Sequence, residues 1–237
     1  MKKHIPNTIT LLNLISGCVA CVMALDNHYF GALVFIIIAS VFDFFDGLSA
    51  RLLKAYSKLG KELDSLADVV SFGVAPGMII FVFLRNTILD YYTVSLLTYI
   101  AYIAFLIPAF SAYRLAKFNI DERQTSSFIG LPTPANALFI CSLAFSHPLA
   151  AFTGNVVFLM AITVVFSLLL VCELPLFSLK FKSFDWKSNK TRYLFIILST
   201  FILIIFQWGG FAFVIVLYII LSIFTNIFSN RTVSINT

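Results

Sequence analysis

Four aspartates, Asp43, Asp46, Asp64 and Asp68, fall within the 26-residue stretch DFFDGLSARLLKAYSKLGKELDSLAD. The whole 237-residue chain has only 11 acidic residues. At 100° per residue, Asp43, Asp46, Gly47 and Ala50 share a helix face about 100° wide, and Gly60, Asp64, Asp68 and Ser71 share a stripe about 80° wide. Two adjacent antiparallel helices carrying these faces bring all four acids into one cavity. Clustered carboxylates repel one another unless cations neutralise them, and no Lys or Arg sits on the inner part of either stripe. Oxygen ligands without His or Cys suit a hard divalent ion, Mg²⁺ or Mn²⁺. The small residues beside the acids let a bulky ligand approach the backbone. Metal ions, phosphates and a close-packed ligand explain this set of residues. On physics alone, a cation or proton transporter using the acids as a relay is the serious alternative.

The elements that must position these acids are membrane helices. The chain is 60% hydrophobic and 11% charged, with 27 Phe and a mean hydropathy of +0.98, whereas soluble domains carry about 25% charged residues. A bilayer core needs about 20 mostly apolar residues per helix. Eight stretches qualify, at about 8–26, 30–53, 62–84, 92–116, 132–147, 154–173, 191–207 and 210–228. Gly209-Gly210 leaves room for only a tight turn between the last two. The basic start and apolar run of the N-terminus read as a retained first helix rather than a cleaved leader. With both termini in the cytoplasm, 15 of the 16 basic residues lie inside and only Arg85 outside. The expectation is an all-α polytopic bundle of about eight transmembrane helices. It forms a single domain over 1–237, with a catalytic core at about 5–175 and two further helices at about 191–228. The net charge of +5 follows from topology and implies no nucleic acid. Cys18 and Cys21 form a CxxC with no flanking ligands, and read as small apolar residues.

The spacing D43-x2-D46-G47-x2-A50-R51-x8-G60-x3-D64-x3-D68 resembles, at every defining position, the signature of the CDP-alcohol phosphotransferases. Members transfer a phosphatidyl-type group from a CDP-linked lipid to an alcohol and release CMP. The resemblance implies that Asp43, Asp46 and Asp64 hold divalent metal, two ions in all, and that Asp68 completes the metal site and acts as general base. It also implies that Gly47, Ala50 and Gly60 line the nucleotide, that Arg51 faces phosphate, and that Asn7 and Thr10 contribute to the CDP pocket. The family analogy further implies a homodimer.

Three further segments bear on the acceptor alcohol. Thr10, Asn13 and Gly17 share one face of the first helix within about 60°. Gly73 and Gly77 form a GxxxG, read as close helix packing, with Pro76 as a kink and Ser71 one turn from Asp68. Arg114 and Lys117 share a face at the end of the fourth span, as a snorkelling pair or as a receptor for a substrate carboxylate. Together PNxxT, SFGVAP, RLAxFN and FxGLPTP resemble the phosphatidylserine synthase branch of the family. That branch usually has Arg where Lys117 stands, and Lys keeps the charge but lacks the fork geometry. The implied reaction is transfer from CDP-diacylglycerol to the hydroxyl of L-serine by direct attack on the β-phosphorus, giving phosphatidylserine and CMP. Ser71, Arg114 and Lys117 would then bind serine. A sister enzyme acting on glycerol 3-phosphate or inositol is the nearest alternative. The expected setting is a membrane, the bacterial inner membrane, with the site facing the cytoplasm.

Overall fold

Along the first helix the inside-out order of a soluble helix is inverted. Helix α1 (His4–Leu25) buries Thr10, Asn13, Ser16, Gly17, Ala20 and Ala24, while Ile5, Leu11, Ile15 and Val22 face outward. Small residues inside allow close backbone approach, and large apolar ones lose nothing by facing hydrocarbon. The computed structural model describes residues 4–91, 95–120, 128–145, 153–177 and 185–234.

Helix α2 (Tyr29–Leu52) lies along α1, burying Leu33, Ile36, Ala39 and Asp46 and turning Phe44 and Phe45 outward. A short loop follows, with Lys54 at a φ of 51°. Ser57 then caps helix α3 (Lys58–Val69), its hydroxyl oxygen accepting from the Gly60 amide at 2.9 Å. Helix α3 continues through a π-helical turn (Val70–Val74) into α4 (Ala75–Tyr91). Where a kink is expected at Pro76, the helix instead runs on through this wider turn. A proline ring clashes with the carbonyl four residues back, here Phe72, and the wider turn relieves the clash.

A 3₁₀ segment (Ser95–Phe105) leads into α5 (Leu106–Ile120). As the GxxxG spacing predicts, Gly73 and Gly77 lie against α5. A Cβ on Gly73 would sit 3.0 Å from Ser111 Cβ, and one on Gly77 3.0 Å from Pro108 Cδ. Strand β1 (Phe128–Ile129) pairs with β2 (Pro175–Leu176), and Gly130, at a φ of +77°, leads towards helix α6 (Thr133–Ser142). A Cβ on Gly130 would meet the Leu170 carbonyl at 2.7 Å, so the LPTP segment is fastened to the end of helix α7 (Val156–Val171). The Leu131 amide strengthens the fastening by donating to the Leu169 carbonyl at 2.9 Å.

Helix α8 (Trp186–Phe206), kinked at Asn189, and helix α9 (Gly210–Ser234) complete the chain. They form the expected hairpin: the rings of Phe195 and Tyr218, 23 positions apart, are 5.6 Å apart. The left-handed residue of the turn is Gln207, at a φ of 49°, rather than either glycine. Helix α9 packs on α6 and hydrogen-bonds back to the β2 segment, Tyr218 Oη donating to the Phe177 carbonyl at 2.9 Å.

The architecture is all-α and membrane-embedded in character. Five stretches, His4–Leu25, Tyr29–Leu52, Lys58–Asp90, Thr98–Ile120 and Asn189–Asn226, are long and apolar enough to cross a membrane, and the last of them contains the hairpin. The spans expected at 132–147 and 154–173 appear as the shorter apolar helices Thr133–Phe145 and Val156–Val171. Phe72, Ile79, Ile80 and Leu84 lie fully buried at the centre of the bundle, against Leu33, Ile36 and Ala20.

Candidate active site

Helices α2 and α3 bring the acids together as the two stripes require. Asp43, Asp64 and Asp68 each present a carboxylate oxygen, all within 4.8 Å of one another. Asp64 Oδ1 is buried with no hydrogen-bond partner among the described residues. An orphaned oxygen within three convergent carboxylates fits a hard divalent cation. Asp46 stands beside this trio, 6% exposed, where Thr10 Oγ1 donates to its Oδ2 at 2.5 Å. Thr10 Oγ1 also lies 3.1 Å from the Pro6 carbonyl, but its single proton serves the closer carboxylate.

A cavity of about 580 Å³ opens next to the trio, with Asp46 and Asp64 in its wall. Of the residues expected around CDP, Asn7, Thr10, Gly47, Ala50 and Gly60 line it. Gly47 faces open space, since a Cβ there would have only an Arg51 guanidinium nitrogen nearby, at 3.9 Å. Gly60 is tighter, its Cβ position 3.0 Å from Ser57 Oγ and 3.1 Å from Asn7 Oδ1. Arg51 is not in the wall. It is exposed, and its Nε donates to the Gly47 carbonyl at 3.0 Å, which puts its charge just outside the Gly47 face.

The sequence reading missed the loop side of this cavity. Tyr56, Ser57, Lys58 and Lys61 line it around the start of α3, where free backbone N–H groups and the helix dipole favour an anion. The capping pattern Ser57-x2-Gly60 was the available signal. Lys61 Nζ also donates to the Asn119 carbonyl at 2.8 Å, tying α3 to α5.

Behind the trio, Asn13 Nδ2 donates to Asp68 Oδ1 at 3.1 Å. Ser71, expected to bind serine, is fully buried and donates its hydroxyl to the Asn13 carbonyl at 3.0 Å. Gly17 makes that approach possible, because a Cβ there would fall 2.3 Å from Ser71 Oγ and 2.7 Å from Ser71 Cα. Ser71 thus joins the π-turn to α1. Arg114 is buried, lies within electrostatic reach of Asp68, and has no hydrogen-bond partner for its Nε among the described residues. Lys117 turns elsewhere, pairing with Glu173 at 3.1 Å just beyond α7. The structure therefore unites the four acids with the CDP-site residues, adds Arg114 at the Asp68 end, and separates Lys117 from them.

The sequence model of the family described as CDP-alcohol phosphatidyltransferase matches residues 3–174, up to but not including the α8–α9 hairpin. The chain is also similar to CDP-diacylglycerol–serine O-phosphatidyltransferases. It is 37% identical over 145 residues to that of Bacillus subtilis (strain 168), covering 61% of this chain and 77% of the relative. The corresponding protein of Mycobacterium leprae (strain TN) is 33% identical over 147 residues, covering 59% and 46%. That of Saccharomyces cerevisiae (strain ATCC 204508 / S288c) is 35% identical over 158 residues, covering 60% and 54%. The match therefore spans about half the length of the latter two. With nearly three-quarters of the chain matched by the family model and the aspartates converging beside a nucleotide-sized cavity, the chain belongs to the CDP-alcohol phosphatidyltransferase family.

Proposed function

We propose that this protein transfers the phosphatidyl group of CDP-diacylglycerol to the hydroxyl of L-serine, giving phosphatidylserine and CMP. The observation that carries the reading is Asp64, which belongs both to the carboxylate trio and to the cavity wall, with Asp46 beside it in that wall. A diphosphate lying in that cavity meets the cluster edge-on. Asp43, Asp64 and Asp68, flanked by Asp46, would hold Mg²⁺ or Mn²⁺, two ions in all. When bound, the metal supplies charge neutralisation for the diphosphate and the departing CMP.

The chain's own residues do the remaining work. Asn7, Thr10, Gly47, Ala50 and Gly60 hold the CDP moiety, while Arg51 and the start of α3 face its phosphates. The serine hydroxyl attacks the β-phosphorus, the bond from that phosphorus to the CMP oxygen breaks, and Asp68 takes the hydroxyl proton. Asn13 fixes the carboxylate of Asp68 for that transfer. Arg114, buried near Asp68, binds the serine carboxylate, while Ser71 holds the π-turn to α1 and Lys117 is engaged with Glu173. The buried setting of Asp68, 8% exposed, limits access of water as a competing acceptor.

The reading extends to the whole molecule as a single domain of eight spans with both termini and the site on the cytoplasmic side of a bacterial inner membrane, acting as a homodimer. The basic residues, nearly all on the cytoplasmic side of that arrangement, support the orientation. The deciding experiment is CMP release by purified protein given CDP-diacylglycerol and a panel of L-serine, glycerol 3-phosphate and inositol. Release with serine alone is expected. Turnover with inositol and none with serine overturns the acceptor, and ion flux in liposomes without CMP release overturns the enzyme.

A further inference from the structure

A second set of unsatisfied polar groups gathers near the aspartates. Asn136, on the first turn of α6, is fully buried, and neither its amide oxygen nor its amide nitrogen has a hydrogen-bond partner among the described residues. Its depth follows from Leu138, which lines an apolar cavity of about 280 Å³ with Val41 and Phe44, residues that bracket Asp43 on α2. Asn136 is two positions away, about 3 Å along the axis, and so lies level with the acids. Its direction follows from periodicity. Leu138 faces α2 and Phe211 of α9, and Asn136 is about 200° round from it. Phe139, about 60° from Asn136 on the other side, stacks on Phe166 of α7 at 3.7 Å. Asn136 therefore points into the bundle, on the side left for the π-turn and α4, both of which touch α6.

Helix α5 aims at the same turn. Ser111 and Arg114 are buried one turn apart, and Ser111 Oγ and Arg114 Nε also have no hydrogen-bond partner among the described residues. Ser111 packs on Gly73 inside the π-turn, five residues beyond Asp68. Two helices thus direct bare donors and acceptors at the segment that follows the general base. Buried polar groups are normally satisfied, and these have the chemistry of a small zwitterion's partners. A carboxylate needs N–H donors, and an ammonium needs oxygen acceptors. Arg supplies donors only, whereas a carboxamide supplies both.

We propose that Asn136 reads the amino-acid end of the acceptor: its amide oxygen accepts from the ammonium group and its NH₂ donates to the carboxylate that Arg114 binds, with Ser111 Oγ as a second acceptor for the ammonium. This rests on serine being the acceptor. It makes α6, opened by the LPTP segment, the element that separates an amino acid from a simple alcohol.

The test uses the full-length purified protein with CDP-diacylglycerol and three acceptors: L-serine, ethanolamine (ammonium without carboxylate) and 3-hydroxypropionate (carboxylate without ammonium). Asn136→Leu should raise the KM for serine about 10- to 100-fold, the range expected when a buried polar contact to substrate is lost. The KM for CDP-diacylglycerol should change far less, and the preference for serine over 3-hydroxypropionate should fall several-fold, since only the ammonium contact distinguishes these two acceptors. Should Asn136→Leu fail to fold, Asn136→Asp serves instead. It keeps an acceptor for the ammonium but repels the carboxylate, so the serine-to-ethanolamine preference should drop at least 10-fold. An unmoved preference overturns the inference. So does a uniform fall in kcat with both KM values and thermal midpoint moving together, the mark of a purely structural amide. Wild-type protein that turns over serine, with a serine KM unchanged in the variant, sinks this inference alone. Wild-type protein that releases no CMP with serine takes the underlying acceptor reading down with it.

Discussion

Asn13 holds Asp68 from behind: its side-chain amide donates to Asp68 Oδ1 at 3.1 Å while its backbone carbonyl accepts the Ser71 hydroxyl at 3.0 Å. One residue of α1 therefore grips both the last aspartate and the turn that follows it. The relationship separates positioning from metal binding, since among the described residues Asn13 hydrogen-bonds to Asp68 and to none of the other three acids.

Replacing Asn13 with Ala should lower kcat about 10- to 100-fold, the cost of a misplaced reacting group, with a smaller effect on the KM for CDP-diacylglycerol. Steady-state CMP release checks this. A KM effect with kcat intact would assign Asn13 to the nucleotide instead.

Asp64→Asn and Asp68→Asn should each remove nearly all transfer, by about 10²- to 10⁴-fold or more for the base. They should differ in binding. Asp64 lines the cavity proposed for CDP, so its substitution should weaken binding of the CDP-lipid more than that of Asp68 does. Equal losses in a direct binding measurement would deny Asp68 a separate proton-transfer role.

Two glycines should respond in opposite ways to Ala. Gly17→Ala drives a methyl into the Ser71 backbone, 2.7 Å from Cα, and should destabilise the protein by about 1–3 kcal/mol, as overpacking does. Gly47→Ala meets only the Arg51 tip at 3.9 Å. It should leave the thermal midpoint near wild type while raising the KM for CDP-diacylglycerol several-fold, by narrowing the cavity (order of one or two methylenes of discrimination). A thermal melt paired with kinetics on each variant distinguishes them.

Chelation should abolish CMP release, and Mg²⁺ or Mn²⁺ should restore it. Binding that favours the folded form also raises stability, so either ion should raise the thermal midpoint of the chelated wild-type protein. Asp43→Asn, which removes one of the three converging carboxylates, should lose most of that rise. A shift of the same size in the variant would move the cation elsewhere.

Arg114→Ala should raise the KM for serine well above that for the lipid. Lys117→Ala should do so much less, because the lysine pairs with Glu173 in a partly exposed salt bridge, its side chain 31% exposed, and such pairs contribute at most about 1 kcal/mol. Equal effects on the serine KM would restore Lys117 to the acceptor side.

The convergence of the aspartates was legible in the sequence because its constraints are local. Asp43 and Asp46 lie on one helix, Asp64 and Asp68 on the next, and periodicity aligns them before any packing is known. The five small or polar cavity residues Asn7, Thr10, Gly47, Ala50 and Gly60 were legible for the same reason. The roles of Ser71 and Asn13 were not, since both depend on how closely α1 approaches the π-turn across Gly17. Nor does any local pattern distinguish Lys117, which meets Glu173 from 56 residues away, from Arg114, which turns inward three residues earlier. The span lengths blurred for a related reason. Helices α6 and α7 are short and depend on neighbours rather than on their own hydrophobic length. Helices α3 and α4 run on as one through Pro76 because the wide turn absorbs it.

That wide turn has a consequence for which substrates can meet. Along an unbroken α-helix, Asp68 and Gly77 would stand about 180° apart, and α5, seated on the glycines, would lie on the far side of the helix from the acids. The additional residue held in Val70–Val74 cuts the separation to about 80°, swinging α5 and its Arg114 round to the flank of Asp68. Deleting one residue there would keep the relation of about 80°, whereas winding all five as a regular α-helix would undo the swing. The nucleotide-lipid would keep its berth, and the alcohol would be left with nowhere to dock.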